Sequence, residues 1–127
     1  IQFSQGDGCN LKENFTRYDV VLLQHALEQS YDPKVILENI HQRLNASGLL
    51  IVATNNTFSE AITPKEKWLG GVKVNGENVT VFDGLSQLLK PHFNLVKTTT
   101  LQQSVPINAY QIKQSRIMLS VWQLKNA

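Results

Sequence analysis

Three short polar segments carry the residues of this sequence that could do chemistry. They are GDGCN (Gly6–Asn10), QHALEQ (Gln24–Gln29) and TNNTF (Thr54–Phe58), and each follows an apolar run. They offer a carboxylate at Asp7, which accepts hydrogen bonds, and an imidazole at His25, which can take up a proton near neutral pH. Polar side chains in these places predict contacts with a ligand rather than with a hydrophobic core.

The first apolar runs are typical of buried strands that flank a helix. Tyr18–Leu23 and Leu49–Ala53 are rich in valine and leucine without alternation, the pattern of strands covered on both faces in a parallel sheet. The segment between them predicts a helix that Asp32 caps, that Pro33 begins and that Gly48 ends. Its apolar face consists of Ile36, Leu37, Ile40 and Leu44. Strand, helix and strand at this spacing predict a βαβ unit.

The rest of the chain predicts a long irregular connection, one helix and two antiparallel strands. Residues 54–80 are polar and broken by proline and glycine, as functional or disordered connections often are. A helix is predicted from about Asp83, its cap, to Lys90. Phe93–Thr99 and Arg116–Leu124 are predicted to pair antiparallel, because their long connection lacks the helix pattern that a parallel crossing normally needs.

This order of elements predicts an α/β fold with the polar segments at one edge of its sheet. An apparent strand, Ile1–Ser4, precedes GDGCN, so all three polar segments follow strands. In open α/β sheets, ligands bind outside the carboxyl ends of the strands. Gln24 and His25 are therefore interpreted as rim positions that face a ligand.

Composition indicates one compact domain. The chain has 127 residues, of which 42% are hydrophobic, enough for one core but not two. Its net charge of +2 comes from scattered basic residues, which argues against a nucleic-acid partner. A single cysteine, Cys9, and the lack of any run of roughly 20 apolar residues predict a cytoplasmic protein without a membrane partner. The three histidines and Cys9 show no metal-ligand spacing, so no metal site is predicted.

The motifs, taken in order, resemble a known family. GDGCNL after a strand, then YDVV, then YDP at a helix start, resemble the later part of a class I S-adenosylmethionine-dependent methyltransferase. QGDGCNL, YDP, GLLIV, TPKEKWLGG, PHFNLV and the late VW are similar, in order and spacing, to the C-terminal methyltransferase domain of ovothiol-biosynthesis enzymes, the 4-mercaptohistidine N1-methyltransferase family. The similarity runs from Gln5 to Trp122, and WLGG is its most specific part.

The resemblance implies a Rossmann-like class I methyltransferase fold, with residues 1–127 as the C-terminal part of a single methyltransferase domain. It implies S-adenosyl-L-methionine as the cofactor and a small-molecule nitrogen, the imidazole of a thiohistidine, as the methyl acceptor. A complete domain of this class begins with a strand, a glycine-rich turn and a helix, which this sequence does not contain. We therefore expect a part of a longer polypeptide that alone binds the cofactor weakly or not at all.

The resemblance also implies cofactor-binding roles by position. Asp7 would accept a hydrogen bond from the adenine amino group, which offers only donors in its plane. The backbone N–H of Gly8 or Cys9 would reach the adjacent ring nitrogen. Gln24 and His25 would line the cofactor near its ribose and sulfonium.

A second set of residues would face the methyl acceptor, namely Asn55, Asn56, Glu60 and Trp68. Methyl transfer to a neutral imidazole nitrogen is an in-line displacement, so it needs alignment and exclusion of water more than a dedicated base. His25 or Glu60 would take up the proton that is released afterwards. Trp68, in a polar loop, is equally consistent with a hydrophobic plug.

A non-catalytic alternative stays open beside the enzyme. A parallel core without neighbouring strands exposes a sheet edge and an apolar face, and such edges are templates for association. In this alternative the chain is a folded module that binds no cofactor alone and self-associates, as a homo-oligomer, or pairs with a partner through that edge. Asp7 is then a turn residue and His25 a packed histidine.

Overall fold

The computed structural model describes residues 5–55 and 57–125, and at Val72 and Val74 the backbone alone. The predicted strand Ile1–Ser4 and the predicted site residue Asn56 lie outside the described residues. The elements along the chain are β1 (Tyr18–Gln24), α1 (Pro33–Asn39), β2 (Leu44–Thr54), β3 (Val72–Val74), β4 (Glu77–Val79), α2 (Val81–Leu89), β5 (Phe93–Asn108) and β6 (Gln111–Leu124). Within the described ranges, no helix is long and apolar enough to cross a membrane.

Four of the strands form one mixed sheet in the order β1-β2-β6-β5. β1 and β2 are parallel, with Gln24 opposite Ala53, whereas β6 runs antiparallel to both β2 and β5. β3 and β4 form a separate small hairpin. The prediction of an α/β fold with a parallel pair and a terminal antiparallel hairpin is thus confirmed.

The core lies between the sheet and the two helices, which contact each other. Leu37 of α1, Leu85 of α2, Leu50 of β2 and Trp122 of β6 are all at most 1% exposed and belong to one cluster. The indole N–H of Trp122 donates a hydrogen bond of 2.9 Å to the Ser120 hydroxyl, so this buried polar group is satisfied. Burial of these faces holds both helices against the sheet.

β1 differs from its prediction as a strand covered on both faces. Val21 and Leu23 pack against the core. Tyr18, Val20 and Leu22, on the other face, are 45%, 51% and 55% exposed. β1 is the outermost strand of the described sheet. A continuous apolar run indicates that both faces of a strand can be buried, but it does not identify the element that buries them.

α1 is shorter than predicted and is capped differently. It ends at Asn39, and after a 3-10 turn the chain enters β2 at Leu44, so Leu44 and Gly48 belong to the strand. Asp32 stands at the N-cap, but its side chain makes no capping hydrogen bond. Its carboxylate pairs instead with Lys67 at 2.9 Å, which raises the pKa of that ammonium group. Asp32 therefore ties the irregular connection to the start of α1.

α2 begins at Val81, earlier than the predicted start near Asp83. Thr80 is the N-cap, and its hydroxyl accepts a hydrogen bond of 3.1 Å from the Asp83 N–H. The Asp83 carboxylate in turn accepts one of 3.2 Å from the Thr80 N–H. The prediction of Asp83 as the cap was wrong because an acid at the third helical position completes a capping box rather than starting the helix.

Both long connections of the prediction, the irregular one at 54–80 and the one between the two late strands, contain β-structure. β5 continues to Asn108 and β6 starts at Gln111, so the predicted connection 100–115 is a long ribbon closed by a two-residue turn. Residues 72–79 of the other connection form the β3–β4 hairpin. Antiparallel pairing needs only a tight turn, and these pairings replace the predicted loops.

A pair of stacked histidines connects the 3-10 turn, residues 40–43, to the residue before β5. The rings of His41 and His92 lie 3.7 Å apart between centroids with their planes 6° apart. Nδ1 of His41 is buried and has no hydrogen-bond partner among the described residues. Burial, and then the proximity of His92, lower the pKa of His41 below the usual 6.5.

We expect acid to destabilise the chain through His41. The unfolded chain binds a proton at this position more readily than the folded chain. The stability that neutral His41 contributes is therefore fully present above pH 6.5, and it is lost as the pH falls through 6.5 towards the lower pKa of the folded state. Urea unfolding on both sides of that pH measures the loss. The His41→Gln variant serves as the reference, and an equal pH dependence in both proteins would contradict the assignment.

Candidate functional site

The carboxyl ends of β1 and β2 meet at one edge of the sheet, as the sequence predicts. The N–H of His25 donates a hydrogen bond of 2.8 Å to the carbonyl of Ala53 and so ties the two strand ends together. His25 has a φ of +54°, a left-handed conformation that is uncommon outside glycine. This conformation turns the chain out of β1 and into the polar segment Gln24–Gln29.

A buried carboxylate joins His25 to the end of β2. Nδ1 of His25 lies 2.6 Å from Oε1 of Glu28, and the Thr54 hydroxyl donates a hydrogen bond of 2.8 Å to Oε2. Glu28 is 4% exposed, whereas the His25 side chain is 30% exposed. The buried acid therefore holds one side of the imidazole, and the other side stays open to solvent.

The contact with Glu28 bears on which ring nitrogen of His25 can accept a proton. When the acid is ionised it only accepts hydrogen bonds, and Nδ1 of His25 then carries the proton between them. In the neutral ring, Nε2 then has the free lone pair. The arrangement presents an oriented proton acceptor at the carboxyl edge of the sheet.

Asp7 forms a second polar group at the same end of the molecule. Its Oδ1 accepts a hydrogen bond of 2.9 Å from the Cys9 N–H, and its Oδ2 accepts one of 2.6 Å from the Tyr31 hydroxyl. The Tyr31 hydrogen bond, followed by that from Cys9, lowers the pKa of Asp7 below its usual 3.8. The same hydrogen bond raises the pKa of Tyr31 to about 12. Asp7 is therefore a carboxylate fixed in place by its two neighbours.

We expect Tyr31→Phe to raise the pKa of Asp7 towards its usual value, because the variant removes the largest cause of the shift. Titration of the Asp7 carboxyl carbon by NMR measures the change. Tyr110→Phe is the matched control, since Tyr110 is 97% exposed at the far turn of the hairpin and should leave the Asp7 titration unchanged. An unchanged Asp7 titration in Tyr31→Phe would show that the hydrogen bond does not form in solution.

A groove of about 330 Å³ joins the Asp7 turn to the segment after β1. The turn and that segment line it together with α1, through Gly6, Asp7, Gly8, Ala26, Gln29, Ser30, Tyr31 and Ile36. A Cβ on Gly8 would stand only 3.3 Å from Ile36, so glycine permits the close approach of turn and helix. Two of the three predicted polar segments thus share one groove.

Cys9 links the two walls of this groove. Its sulfur lies 3.1 Å from the Ser30 hydroxyl and 3.3 Å from the Asp32 carbonyl. Its N–H is occupied by Asp7. The side chain of Cys9 therefore connects the Asp7 turn to the start of α1, and its predicted contact with a cofactor stays a prediction.

The other predicted site residues lie apart from this groove. Gln24 is exposed at the end of β1, and Glu60 is exposed in the turn that begins at Ser59. Asn55 follows β2 and lines a separate cavity with residues of β6. Trp68 lines a third groove, between the irregular connection and the two helices. The structure thus brings Asp7 and Gly8 together in this groove, and His25 belongs to the segment that forms part of its lining. Asn55 and Trp68 lie at other cavities.

Trp68 is packed as a plug. Its indole N–H donates a hydrogen bond of 2.9 Å to the Thr63 carbonyl, and its ring stacks on Phe58 with centroids 6.2 Å apart. It also contacts the core cluster. Of the two roles left open for Trp68, these contacts favour packing, and its role towards a methyl acceptor stays a prediction.

The WLGG segment that follows locks the connection onto α2. Leu69 is 5% exposed. A Cβ on Gly84 would overlap the Leu69 carbonyl, and a Cβ on Gly70 would overlap the Thr80 carbonyl. Gly71 has a φ of +79°, and its N–H donates to the Val79 carbonyl at 2.8 Å. Gly70 and Gly84 are therefore needed for close backbone packing, whereas Gly71 is needed for its left-handed φ.

Sequence reasoning missed Glu28 and Tyr31. Glu28 belongs to the polar segment Gln24–Gln29 whose first two residues were interpreted as facing a ligand, whereas Tyr31 lies two residues beyond that segment. A carboxylate three residues after His25 was the available signal for Glu28. Tyr31 acts through Asp7, which is 24 residues away, and no local pattern connects the two. Within residues 5–55 and 57–125, no group of three or more His, Cys, Asp or Glu side chains could hold a metal ion.

Solved structures identify the fold. The chain superimposes on the N-methyltransferase NodS from Bradyrhizobium japonicum WM9, solved in complex with S-adenosyl-L-homocysteine, with a TM-score of 0.62 and 11% identity over 97% of this chain and 54% of that one. It superimposes on a SAM-dependent methyltransferase from Methanosarcina mazei with a TM-score of 0.63 and 12% identity over 96% of this chain and 66% of that one. A structure describing conversion of a disulfide bond into a thioacetal group during echinomycin biosynthesis gives a TM-score of 0.61 and 11% identity over 94% of this chain and 54% of that one.

These similarities show the Rossmann-like fold of class I methyltransferases. The chain spans about half the length of NodS and of the echinomycin-related protein. No protein-family model and no curated protein sequence matches the chain. At identities of 11–12% the structures establish the fold alone.

Proposed function

We propose that the chain is part of a methyltransferase that uses S-adenosyl-L-methionine, and that the groove beside Asp7 receives the adenine. The observation that carries the proposal is the ionised, doubly hydrogen-bonded carboxylate of Asp7 in a groove at the carboxyl end of the sheet. In open α/β sheets this is where ligands bind. The fold shared with methyltransferases supports this assignment.

Asp7 and its neighbour Gly8 supply the recognition of adenine in this proposal. The carboxylate accepts a hydrogen bond from the adenine amino group through a lone pair not used by Cys9 or Tyr31. Because the Cys9 N–H is occupied by Asp7, we assign the ring nitrogen contact to the Gly8 N–H. Tyr31 and Ile36 then form the apolar walls against which the base packs.

Gln24 and His25 lie at the end of β1 and would contact the ribose and the sulfonium. His25 is also the proposed proton acceptor, because its contact with Glu28 leaves Nε2 as the basic nitrogen. Glu60, in an exposed turn, is a second proposed acceptor. The chemistry asks these residues mainly to align the reactants and to exclude water.

We propose a small-molecule nitrogen, the imidazole of a thiohistidine, as the methyl acceptor, which would place the protein in ovothiol biosynthesis in the cytoplasm. The resemblance of QGDGCNL, TPKEKWLGG and PHFNLV to the 4-mercaptohistidine N1-methyltransferase family supports this choice. Asn55, Asn56, Glu60 and Trp68 are its proposed contacts.

One observation favours the non-catalytic alternative for the chain by itself. The outer face of β1 exposes Tyr18, Val20 and Leu22. Exposed apolar strands at a sheet edge favour association. In this reading the chain self-associates through β1 and binds no cofactor alone.

Calorimetric titration of S-adenosylhomocysteine into the chain, with light scattering on the same sample, separates the two. Binding at a groove formed by the chain supports the methyltransferase proposal, and the oligomeric state tells whether β1 is covered by a second copy. A folded chain that gives no heat would restrict the proposal to a longer polypeptide. Thiohistidine and histidine as acceptors then test the nitrogen target.

A further inference from the structure

A second cavity, of about 340 Å³, opens beside the carboxyl end of β2. Two residues that follow β2 and three residues of β6 line it: Asn55, Thr57, Lys113, Ser115 and Arg116. The lining therefore contains two cationic side chains, two hydroxyls and an amide, and no carboxylate. A cavity with this lining offers many hydrogen-bond donors and positive charge to whatever enters it.

The charge of the whole chain is divided in a way that strengthens this feature. All ten acidic residues stand at or before Asp83. Five of the twelve basic residues follow it, namely Lys90, Lys97, Lys113, Arg116 and Lys125. The β5–β6 hairpin thus carries only positive charge, and no acid on either of its strands neutralises Lys113 or Arg116. Such a one-signed surface attracts anions.

The register of the sheet places the cavity next to the proposed reaction site. Thr54, the last residue of β2, is opposite Met118 of β6 and donates its hydroxyl to Glu28, which holds His25. Asn55 is the next residue along the chain. Its side-chain oxygen accepts a hydrogen bond of 3.0 Å from the Thr57 N–H, which fixes the turn that forms one wall. The cavity is therefore one residue away from the cluster that orients His25.

We propose that this cavity binds an oxyanion, a carboxylate or phosphate group, on the methyl acceptor. The inference rests on the proposed methyltransferase function and adds a chemical class to its substrate. Arg116 supplies a planar pair of donors that matches an oxyanion, and Lys113 supplies a point charge. The Ser115 hydroxyl adds a further donor, whereas the Thr57 hydroxyl donates to the Asn55 carbonyl at 3.4 Å. The groove beside Asp7 has a different lining and stays available for the cofactor.

Titration of the chain with acetate and with inorganic phosphate, followed by amide NMR, tests the site without cofactor or turnover. We expect shifts at Thr57, Ser115 and Arg116, and no matching shifts with sodium chloride at equal ionic strength. The larger response identifies the carboxylate or the phosphate. Arg116→Gln should lower the affinity for the anion by about tenfold, the cost of losing one charge-assisted hydrogen bond.

Lys97→Gln is the matched control. Lys97 is an exposed base of the same hairpin that does not line the cavity, so removing it changes the net charge equally and should leave the affinity within about twofold. Equal losses in the two variants, equal shifts with chloride, or no shifts at all in a folded sample would overturn the site. Because S-adenosylhomocysteine binding is measured separately, a chain that binds the cofactor but no anion overturns only this inference. A chain that binds the anion at these residues but no cofactor retains the site and restricts the methyltransferase proposal to a longer polypeptide.

Discussion

Replacing Gly84 by alanine is expected to destabilise the chain by about 3 kcal/mol or more, a large share of the stability of an ordinary domain. The new Cβ would overlap the Leu69 carbonyl, which is backbone and cannot turn away as a side chain can. Relief of the overlap requires Leu69 to leave the core or α2 to move off the sheet. Urea unfolding followed by circular dichroism measures the difference in free energy.

Gly6→Ala is the matched control for this substitution. A Cβ on Gly6 would meet only Leu11 and Phe15, at 3.8 and 3.9 Å, which is ordinary contact. The control should therefore change the free energy of unfolding by less than about 1 kcal/mol. If Gly84→Ala were as stable as Gly6→Ala, the close packing of the connection on α2 would not exist in solution.

This packing gives the WLGG segment a meaning that sequence comparison alone could not supply. Read as a motif, it points to a family and to a substrate loop. In the structure Leu69 fills the core and Gly70 lets the chain pass against the start of α2. A segment can be specific to a family because backbone packing demands it, so its presence supports the fold more directly than it supports the thiohistidine acceptor.

Sequence patterns predicted the main elements because those patterns record local burial. The apolar runs that became β1 and β2, and the helix opened by Pro33, stand where they were expected. Element ends were less predictable because they depend on neighbours elsewhere in the chain. The sequence predicts Asp32 as a helix cap, but in the fold its carboxylate pairs with Lys67, which is 35 residues away. The ribbon 100–115 exists because β5 and β6 pair with each other, which neither strand shows by itself.

The candidate site contains residues that are proposed to touch a ligand and residues that hold those side chains in place. Asp7 and His25 could be singled out because His25 follows β1 and Asp7 follows a run that predicts a strand, and a ligand is expected beyond the ends of strands. Glu28 and Tyr31 act through these two residues, at 2.6 Å in each case. Tyr31 meets Asp7 only in the folded chain, so no local motif reveals it, whereas Glu28 left one local signal, an acid three residues after His25. Prediction reached the proposed contact residues and missed the residues that orient them.

The second large effect concerns Asp7 and S-adenosylhomocysteine. We expect Asp7→Asn to weaken binding by about tenfold to a hundredfold, the range for losing a hydrogen bond to a charged group. The amide keeps the size of the carboxylate but removes its charge and one acceptor, and its NH₂ group cannot accept the hydrogen bond that the adenine amino group donates. NMR titration detects even weak binding, so the ratio of affinities can be measured in this chain.

Glu77→Gln provides the control, because Glu77 is an exposed acid of β4 that does not line the groove beside Asp7. It removes the same charge and should leave the affinity within about twofold. Tyr31→Phe should fall between the two, since it leaves the carboxylate in place but releases it from its hydrogen bond. Equal affinities for Asp7→Asn and Glu77→Gln would mean that Asp7 only shapes its turn, and the adenine would have to be sought at another position along the carboxyl edge of the sheet.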